Sequence, residues 1–464
     1  MPSPKRVVVL IWDGLRPDFV RPDLTPNLCR LGDRGVVFSN HHAVFPSETR
    51  VNASSVATGC YPGTHGIVGN SLYIPEISEH DTLNTGDHEV LQAIAQHEPL
   101  LSKPTLAERL QKAGHSYVII SSGSPGSSWV QCAPGAGALI NVRGVIHPES
   151  LSSQLQATCD DLFPPASFPS TARNDRLTEL IVRKLQSDTH EVIFGWFCDP
   201  DFTQHKYGLG EETSLQSIRE NDARLQTILQ AAEAENADVL VGSDHGFSTL
   251  TEPFEHKREL VEAGFDLDDL VWMGAKVAFR PGAADRTEAL VAFLQEQDWI
   301  GPLFTRGEGV EGHAPGTFSF HTVQLNHPRT PALMFSKKWT DQPNEYGVPG
   351  TVFGSSGLAS HGTCGPYDMH NVLIGGGPSF KSGLTSEIPS GVVDIAPTVY
   401  HLVTGDSLND VDGRILTEAL RSHSNTPNVH TQTLETGTGN HRQFLEIARV
   451  DGTEYINSGW ASTS

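Results

Sequence analysis

Three short apolar runs in this chain lead directly to aspartates. The runs are "RVVVLIWD" at 6–13, "EVIFGWF" at 191–197, which Asp199 and Asp201 follow, and "ADVLVGSD" at 237–244. Runs rich in Val and Ile without polar alternation are typical of strands that are buried on both faces, as in a parallel sheet. Amphipathic segments alternate with them, at 105–114, 172–188 and 214–235. The pattern predicts an α/β fold, with a mostly parallel central sheet and helices on both faces.

The pattern changes between 255 and 350, where Pro, Gly and charged residues interrupt elements such as "WMGAKVAFRP". We interpret 255–350 as an inserted α+β cap subdomain. It would divide a catalytic core into a first part, 1–254, and a second part, 351–420. The polar stretch 421–440 is predicted to be a loop. The alternating residues around "DG" near the end predict a hairpin at the edge of the sheet, so that 421–464 forms a loop and a C-terminal edge hairpin.

The net charge of the chain limits the classes of molecule that it is expected to bind. The sequence has 55 acidic and 32 basic residues and a formal net charge of -23, which argues against binding to nucleic-acid polymers or anionic membranes. An anionic substrate would therefore need local positive charge, which metal ions can supply. Six cysteines without CxxC spacing indicate reduced thiols. No segment resembles a signal peptide or a membrane span, and we expect a cytoplasmic protein.

Four local patterns carry Asp and His residues, and the strand ends of a parallel sheet would bring them to one edge. They are "IWDGLRPD" with Asp13, "DPDFTQHKYG" with Asp201 and His205, "GSDHGFS" with Asp244 and His245, and "SHGTCGPYDMH" with His361 and His370. Taken singly, each has an ordinary reading as a turn, a solvated helix face or a loop histidine. Together they offer the oxygen and nitrogen ligands that suit zinc or manganese. Two such ions side by side form a clamp for phosphoryl transfer.

The segment "FPSETRVNASSVATG" at 45–59 is a source of nucleophiles. It carries five hydroxyls, at Ser47, Thr49, Ser54, Ser55 and Thr58. No histidine lies nearby in the sequence to act as their base, but a hydroxyl on a divalent metal loses its proton far more readily. We expect a loop that enters a helix here, with free backbone N–H groups that favour a phosphate. The spacing alone does not choose among the five hydroxyls.

The motifs, in their order along the chain, resemble the alkaline phosphatase superfamily, and within it the type I phosphodiesterases and nucleotide pyrophosphatases. They are "IWDGLRPD", "TPNLCRLGDRGVVFSN", "FPSETRVNASSVATGCYPGTHGIVGN", "PDFTQHKYG", "SDHG", and "SHG" followed later by "GPSF" and "VVDIAPTVYHLVTG". The resemblance covers about 1–75, 190–250 and 355–405.

The resemblance implies roles for particular residues. Thr49 matches the nucleophilic threonine. The ligands implied for one metal are Asp13, Thr49, Asp244 and His245, and those for the other are Asp201, His205 and His361. Asn70 matches an asparagine that hydrogen-bonds a phosphoryl oxygen, together with the Thr49 backbone N–H. His370 falls where the family has no ligand and is a lesser candidate, Asp199 matches an acid that is not a ligand, and the other four hydroxyls would be structural.

Arg50 departs from the family pattern, because nucleotide-binding members usually carry an aromatic residue just after the nucleophile. Two readings are open. The arginine can pair with a phosphoryl or carboxylate group of the substrate, or it can form a salt bridge with a nearby acid. Phosphonoacetate hydrolases share the threonine, the metals and an "HGI-GN"-like stretch, so a phosphonate substrate is also open.

The sequence therefore predicts a metal-dependent hydrolase of phosphodiester, nucleotide pyrophosphate or phosphonate ester bonds. It would act on a small phosphate or phosphonate ester through a phospho-threonine intermediate and two divalent ions. Zinc suits the histidines best, and manganese or iron fits the same ligands. The alternatives are a phosphonoacetate hydrolase-like enzyme, a phosphomonoesterase that uses Arg50, and, from another class, a non-catalytic metal-stabilised scaffold. A sulfatase is disfavoured, because "CYPGT" lacks the arginine of the C/S-x-P-x-R motif.

Overall fold

The computed structural model describes residues 6–132, 135–157, 159–187, 190–253, 256–354, 357–424 and 426–463. Its helices are α1 (Pro26–Arg34), α2 (Thr49–Thr58), α3 (Pro62–His65), α4 (His88–His97), α5 (Leu106–Lys112), α6 (Pro125–Cys132), α7 (Glu149–Gln156), α8 (Thr171–Gln186), α9 (Asp201–Tyr207), α10 (Glu212–Ala234), α11 (His256–Glu262), α12 (Thr287–Gln295), α13 (Pro366–Met369) and α14 (Ile395–Thr404).

The strands up to the middle of the chain are β1 (Val7–Trp12), β2 (Val36–Phe38), β3 (His41–His42), β4 (Ser71–Leu72), β5 (Leu83–Asn84), β6 (Tyr117–Ser121), β7 (Ala138–Asn141), β8 (Val145–His147), β9 (Val192–Phe197), β10 (Asp238–Gly242) and β11 (Ser248–Pro253). Those that follow are β12 (Leu270–Trp272), β13 (Lys276–Phe279), β14 (Ile300–Thr305), β15 (Phe318–Ser319), β16 (Leu333–Lys337), β17 (Trp339–Pro343), β18 (Pro349–Gly354), β19 (Ala359–Ser360), β20 (His370–Asn371), β21 (Leu373–Gly376), β22 (Leu384–Ser386), β23 (Ser390–Gly391), β24 (Val429–Thr438), β25 (His441–Val450) and β26 (Thr453–Thr463).

The central sheet has nine strands among the described residues, in the order β22-β2-β21-β10-β1-β9-β6-β7-β8. Seven of them run in one direction, and only β8 and β21 run against their neighbours. β1 lies near the middle, parallel to β10 on one side and to β9 on the other. The predicted mostly parallel sheet is therefore confirmed.

Both faces of this sheet are covered, as β1 shows. Its alternate residues point to opposite faces: Val7, Val9 and Ile11 join one core cluster, while Val8, Leu10 and Trp12 join the other. The first cluster includes residues of α2, α4, α5, α6 and α14, and the second includes residues of α1, α7, α8 and α10. Burial of each large apolar side chain stabilises the fold by about 1.5–3 kcal/mol. The predicted helices on both faces are confirmed, with residue 188 of one of them outside the described residues.

A separate sheet lies within the predicted insertion. It has five strands, in the order β12-β13-β16-β14-β15, and a core of its own that includes Leu260, Val277, Leu290 and Phe335. The division into domains stays a prediction. Its boundary at 254/255 falls outside the described residues, and the boundary at 350/351 falls within β18, which pairs with β11 from before the insertion.

The C-terminal prediction is wrong in two respects. Residues 429–438 of the predicted loop form β24, which pairs with β25 over ten residues. Because β24 is exposed over most of its length, it shows no apolar alternation and draws its order from backbone pairing. The hairpin at Asp451–Gly452 does form, between β25 and β26, but it makes a three-stranded sheet with β24 rather than an edge of the central sheet.

None of the helices in the described ranges combines the length and apolar character needed to cross a bilayer. The cytoplasmic location stays a prediction.

Candidate active site

Three buried carboxylates meet at the carboxyl ends of adjacent strands. Asp13 follows β1, Asp244 lies just after β10, and Asp201 opens α9 after β9, which are the three central strands β10-β1-β9. Each carboxylate residue is 4% exposed or less. A hydrogen bond of 2.9 Å from the Asp201 N–H to the Asp13 carbonyl joins two of the strand ends. The parallel topology therefore assembles groups that lie up to 231 residues apart in the sequence.

Three histidines face these carboxylates, and each is held in one tautomer. The Nδ1 atoms donate to backbone carbonyls: His245 to Gly246 at 2.9 Å, His205 to Ala359 at 3.0 Å and His361 to Ser47 at 2.6 Å. A carbonyl oxygen can only accept, so Nδ1 carries the proton in each ring. In the neutral ring Nε2 then presents a lone pair, which is the arrangement typical of metal-binding histidines.

The Nε2 atoms point at carboxylate oxygens. His245 Nε2 lies 3.3 Å from Asp244 Oδ2 and 3.5 Å from Asp13 Oδ1, and His361 Nε2 lies 3.4 Å from Asp201 Oδ1. His205 Nε2 lies 3.3 Å from the same Asp201 oxygen. These three carboxylate oxygens are buried and accept no hydrogen bond from the described residues. Acceptors that face acceptors in a buried site are suited to a cation between them.

The donor atoms fall into two groups that fit metal ions. Asp13, Asp244 and His245 form one group, and Asp201, His245 and His361 form the other, each with its donor atoms within 4.8 Å of one another. His245 thus reaches both groups, whereas the resemblance assigned it to one. The resemblance gave His205 to the second metal, and its contact with Asp201 places it beside that group. Mixed oxygen and nitrogen sets of this kind suit zinc and manganese.

The protonation behaviour of the carboxylates reflects their crowding. Burial, followed by repulsion from Asp244 and Asp201, holds the pKa of Asp13 well above its usual range. Burial likewise raises the pKa of Asp244. Burial also acts to raise the pKa of Asp201, but the nearby rings of His205 and His361 outweigh it and lower that pKa. Two of the three carboxyl groups therefore resist ionisation unless a positive charge is added.

Thr49 is the one hydroxyl of the five in the nucleophile segment that contacts this cluster. It is the first residue of α2, is 5% exposed, and donates from Oγ1 to His245 Nε2 at 3.2 Å. The other hydroxyls have structural partners: Ser47 donates to the Thr363 carbonyl, Ser54 to the Arg50 carbonyl, Ser55 meets His65 Nε2, and Thr58 donates to the Ser54 carbonyl. The structure therefore brings Thr49 to the ligand groups and leaves the others in the scaffold.

Asn70 is held against the start of the same helix. Its Oδ1 accepts the Arg50 backbone N–H at 3.0 Å, and its own backbone N–H donates to Glu48, which precedes Thr49. Glu48 also forms an ion pair with Lys276, whose side chain is 4% exposed. Because Oδ1 is occupied, the Nδ2 donors of Asn70 are left for a ligand. Sequence reasoning missed Glu48 and Lys276, because no motif marks the lysine.

Arg50 lines a cavity of about 730 Å³ together with Thr49, Asn70, Lys206 and Lys276. Its Nε is shielded from solvent and has no hydrogen-bond partner. Burial lowers the pKa of Arg50, and surrounding carboxylates, Glu48 first among them, oppose that change. Among the described residues its side chain makes no salt bridge, so the predicted alternative of an ion pair with a nearby acid is not found.

Two further acidic or basic candidates lie away from the cluster. The His370 ring packs on His42, with centroids 4.6 Å apart, because its strand β20 pairs with β3. The lesser candidate His370 is therefore not brought to the site. Asp199 turns towards α8, where Oδ2 accepts the Ser170 N–H at 2.8 Å and a bond from Asn174 at 3.2 Å.

Comparison with known proteins gives one family. The model of the family described as "Type I phosphodiesterase / nucleotide pyrophosphatase" matches residues 7–298. An ectonucleotide pyrophosphatase/phosphodiesterase of Caenorhabditis elegans is 25% identical over 400 residues, which are 83% of this chain and 44% of that protein. The bis(5'-adenosyl)-triphosphatase ENPP4 of Homo sapiens is 21% identical over 418 residues, 86% of this chain and 78% of its own. The chain thus spans less than half the length of the nematode relative.

Solved structures share the fold. Murine ectonucleotide pyrophosphatase / phosphodiesterase 5 superposes with a TM-score of 0.62 and 18% identity, covering 90% of this chain and 100% of its own. An alkaline phosphatase PafA variant gives a TM-score of 0.69 and 17% identity, covering 90% and 99%. The predicted alkaline-phosphatase-like fold is therefore confirmed.

Proposed function

The chain belongs to the type I phosphodiesterase / nucleotide pyrophosphatase family, and we propose that it hydrolyses phosphodiester, nucleotide pyrophosphate or phosphonate ester bonds with Thr49 as its nucleophile. One observation carries the proposal. The Thr49 hydroxyl, at the first position of α2, lies 3.2 Å from the histidine that both ligand groups share. A nucleophile, a helix N-terminus and two buried donor groups thus meet at one cavity.

The same proposal assigns two divalent ions to the donor groups, with zinc as the best match to three histidines. Asp13, Thr49, Asp244 and His245 would hold one ion. Asp201, His205 and His361 would hold the other, with His245 within reach. When bound, the ions supply a lowered pKa for a coordinated hydroxyl or water and stabilise the oxygen that departs from phosphorus.

The protein residues supply orientation and charge. His245 Nε2 accepts the Thr49 hydroxyl in the absence of an ion, which places Oγ1 beside the ligand groups. The Thr49 backbone N–H has no acceptor among the described residues, so it can donate to a phosphoryl oxygen together with Asn70 Nδ2. Attack by Thr49 forms a phospho-threonine and releases the first product. Attack by water on that intermediate releases the second product and regenerates Thr49.

The substrate class follows from the cavity and from the relatives. The human relative is named a bis(5'-adenosyl)-triphosphatase, and an inactive variant of the murine neighbour was solved in complex with AMP. In this chain Phe168 and Phe202 line the cavity and offer aromatic surface to an organic group. We infer a small phosphate or phosphonate ester, with a nucleotide as one source of the ester.

The first test uses the metal-stripped protein. Zinc or manganese is restored, and hydrolysis of bis(p-nitrophenyl) phosphate, p-nitrophenyl phosphate and p-nitrophenyl phenylphosphonate is compared. We expect turnover that depends on the metal. Absence of metal-restored turnover on all three would favour the phosphonoacetate hydrolase-like enzyme or the non-catalytic scaffold instead.

The second test concerns the nucleophile. Thr49→Ala is expected to lower kcat by at least about 100-fold, since it removes the group that forms the covalent intermediate. Ser54→Ala is the matched control, because it removes a hydroxyl from the same helix that bonds only to the Arg50 carbonyl. Mass spectrometry of acid-quenched turnover should find phosphate on the peptide that contains Thr49. Near-normal turnover of Thr49→Ala would overturn the assignment.

A further inference from the structure

Arg50 is a cation at the candidate site that nothing in the described chain neutralises by direct contact. Its side chain makes no ion pair or hydrogen bond among these residues, and its Nε is shielded from solvent. Nε is one of the five donors of the guanidinium, and a buried donor without a partner costs free energy. A ligand that accepts from this donor would recover that cost.

Arg50 lies directly beside Thr49, the proposed nucleophile. It follows Thr49 in the first turn of α2, and its backbone N–H is fixed by Asn70. Its Cζ packs towards Gly86, within 3.7 Å of the point that a Cβ would occupy there. Arg50 lines the same cavity as Thr49 and Asn70.

The other cations of the cavity are differently placed. Lys276 is paired with Glu48, and Lys206 lies 4.0 Å from the centroid of the Phe168 ring. Lys337 also lines the cavity. Arg50 differs from these three lysines because it directly follows Thr49 in the chain.

The charged groups around Thr49 indicate the sign of the charge expected on the ligand. Asp13, Asp201 and Asp244 supply three negative charges, and two divalent ions would supply four positive ones. Glu48 and Lys276 cancel each other. Arg50 adds one more positive charge, and Lys206, Lys337 and Asp368 also line the cavity. The surplus of positive charge favours a ligand with two or more negative charges over a phosphodiester, which carries one.

We propose that Arg50 binds a second anionic oxygen of the substrate, beyond the phosphoryl oxygen that Asn70 would hold, and so selects substrates with two or more negative charges over simple diesters. This inference rests on the proposed function. The second oxygen can belong to the transferred phosphoryl group, as in a phosphomonoester, or to the group attached to it, as in a nucleotide pyrophosphate. In either case the planar guanidinium matches two oxygens at once.

The test measures binding rather than turnover. All variants carry Thr49→Ala, are loaded with zinc, and are titrated calorimetrically with p-nitrophenyl phosphate, bis(p-nitrophenyl) phosphate and diadenosine triphosphate. We expect Arg50→Gln to raise the Kd for p-nitrophenyl phosphate, diadenosine triphosphate or both by about 10- to 100-fold, the range of a charged hydrogen-bond pair. The Kd for bis(p-nitrophenyl) phosphate should change by less than about 3-fold.

Two further variants distinguish a direct contact between Arg50 and the ligand from a general electrostatic attraction. Arg50→Lys keeps the positive charge but lacks the planar guanidinium that can bond two oxygens at once, so it should recover only part of the lost affinity. Lys206→Gln removes a charge from the same cavity and should weaken all the ligands to a similar, small extent. A loss confined to p-nitrophenyl phosphate places the second oxygen on the transferred group, and a loss confined to diadenosine triphosphate places it on the attached group.

Equal effects of Arg50→Gln on the diester and on the two more highly charged ligands, or no effect on any of them, would overturn the inference. Because the titrations need no turnover, a failure of the proposed hydrolysis shows separately in the wild-type activity assay. Equal melting temperatures of the zinc-loaded variants establish that the substitutions left the fold intact.

Discussion

Lys276→Met tests the link between the five-stranded sheet and α2, the helix that begins at Thr49. Lys276 opens β13, and its side chain is 4% exposed where it pairs with Glu48, which is 15% exposed. Removing one partner of a buried pair leaves the other charge uncompensated, which typically costs 3–5 kcal/mol. Glu48 keeps its bond from the Asn70 N–H, so we expect the lower end, about 3 kcal/mol.

The expected change in melting temperature follows from the size of the chain. Unfolding entropy is about 2.1 cal/mol/K per residue, so 464 residues give about 1 kcal/mol/K. A loss of about 3 kcal/mol then lowers Tm by about 3 °C. Arg219→Met is the matched control, because Arg219 pairs with Glu212 at 2.7 Å on the surface and such pairs contribute about 0–1 kcal/mol.

The pH dependence gives the sharper test. In the wild type, burial acts to raise the pKa of Glu48, but Lys276 outweighs burial and lowers it. Its stabilising contribution is therefore present above the unfolded pKa near 4.3 and is lost only below it. In Lys276→Met, burial is left without its main opponent, so the pKa of Glu48 rises and stability falls as pH increases. The difference in Tm between wild type and variant should shrink between about pH 8 and about pH 5.

Differential scanning calorimetry measures these Tm values at both pH values, on protein with the same metal content. Glu48→Gln combined with Lys276→Met should recover part of the loss, since it removes the stranded charge. If Lys276→Met melts no lower than Arg219→Met at about pH 8, the pair does not stabilise the fold and the reasoning fails. A difference in Tm that stays constant with pH would refute the electrostatic cause.

Three other outcomes are expected. Chelation should lower Tm, and the chelated protein should lose stability as pH rises from about 4. The reason is that burial and carboxylate repulsion raise the pKa of Asp13 above its unfolded value, so the native state holds a proton that the unfolded state has lost. A Tm that is the same with and without chelator, and that does not change with pH, would count against a metal at this site. His361→Ala should weaken zinc binding by more than about 100-fold in equilibrium dialysis, while His370→Ala should leave it within about 3-fold, and equal losses would show that the donor set is wrongly drawn. Gly69→Ala should lower both Tm and kcat, because a Cβ there would lie 2.8 Å from Lys276 Cε and 2.9 Å from a backbone oxygen; unchanged values of both would mean that Lys276 can move freely.

The sequence predicts the site where local pattern and topology coincide. Asp13, Asp201 and Asp244 each follow an apolar run, and parallel strands must deliver such residues to one edge. The failure with His370 has a local cause. Only nine residues separate it from His361, but α13 turns the chain between them, and β20 then directs His370 towards His42. Sequence separation alone cannot show such a reversal.

Contacts between distant segments explain what the sequence could not predict. Lys276 lies 228 residues from Glu48 and belongs to a strand whose pattern differs little from its neighbours. The predicted loop at 429–438 is a strand because β25 offers it a complete row of backbone partners. In both cases a tertiary contact determines the structure, and that contact leaves no periodic signal in the sequence of the segment itself.

The Lys276–Glu48 pair connects the five-stranded sheet to the turn at the start of α2. Glu48 holds the Asn70 backbone, Asn70 holds the Arg50 backbone, and Thr49 lies between Glu48 and Arg50. A lysine of the five-stranded sheet therefore anchors the turn that carries Thr49, the proposed nucleophile. If that sheet only shaped the pocket, Lys276→Met would change KM and leave kcat intact. Since the anchor reaches the groups that would orient the phosphoryl oxygen, we expect kcat to fall as well, by about 10-fold or more. A change confined to KM would limit the sheet to substrate binding.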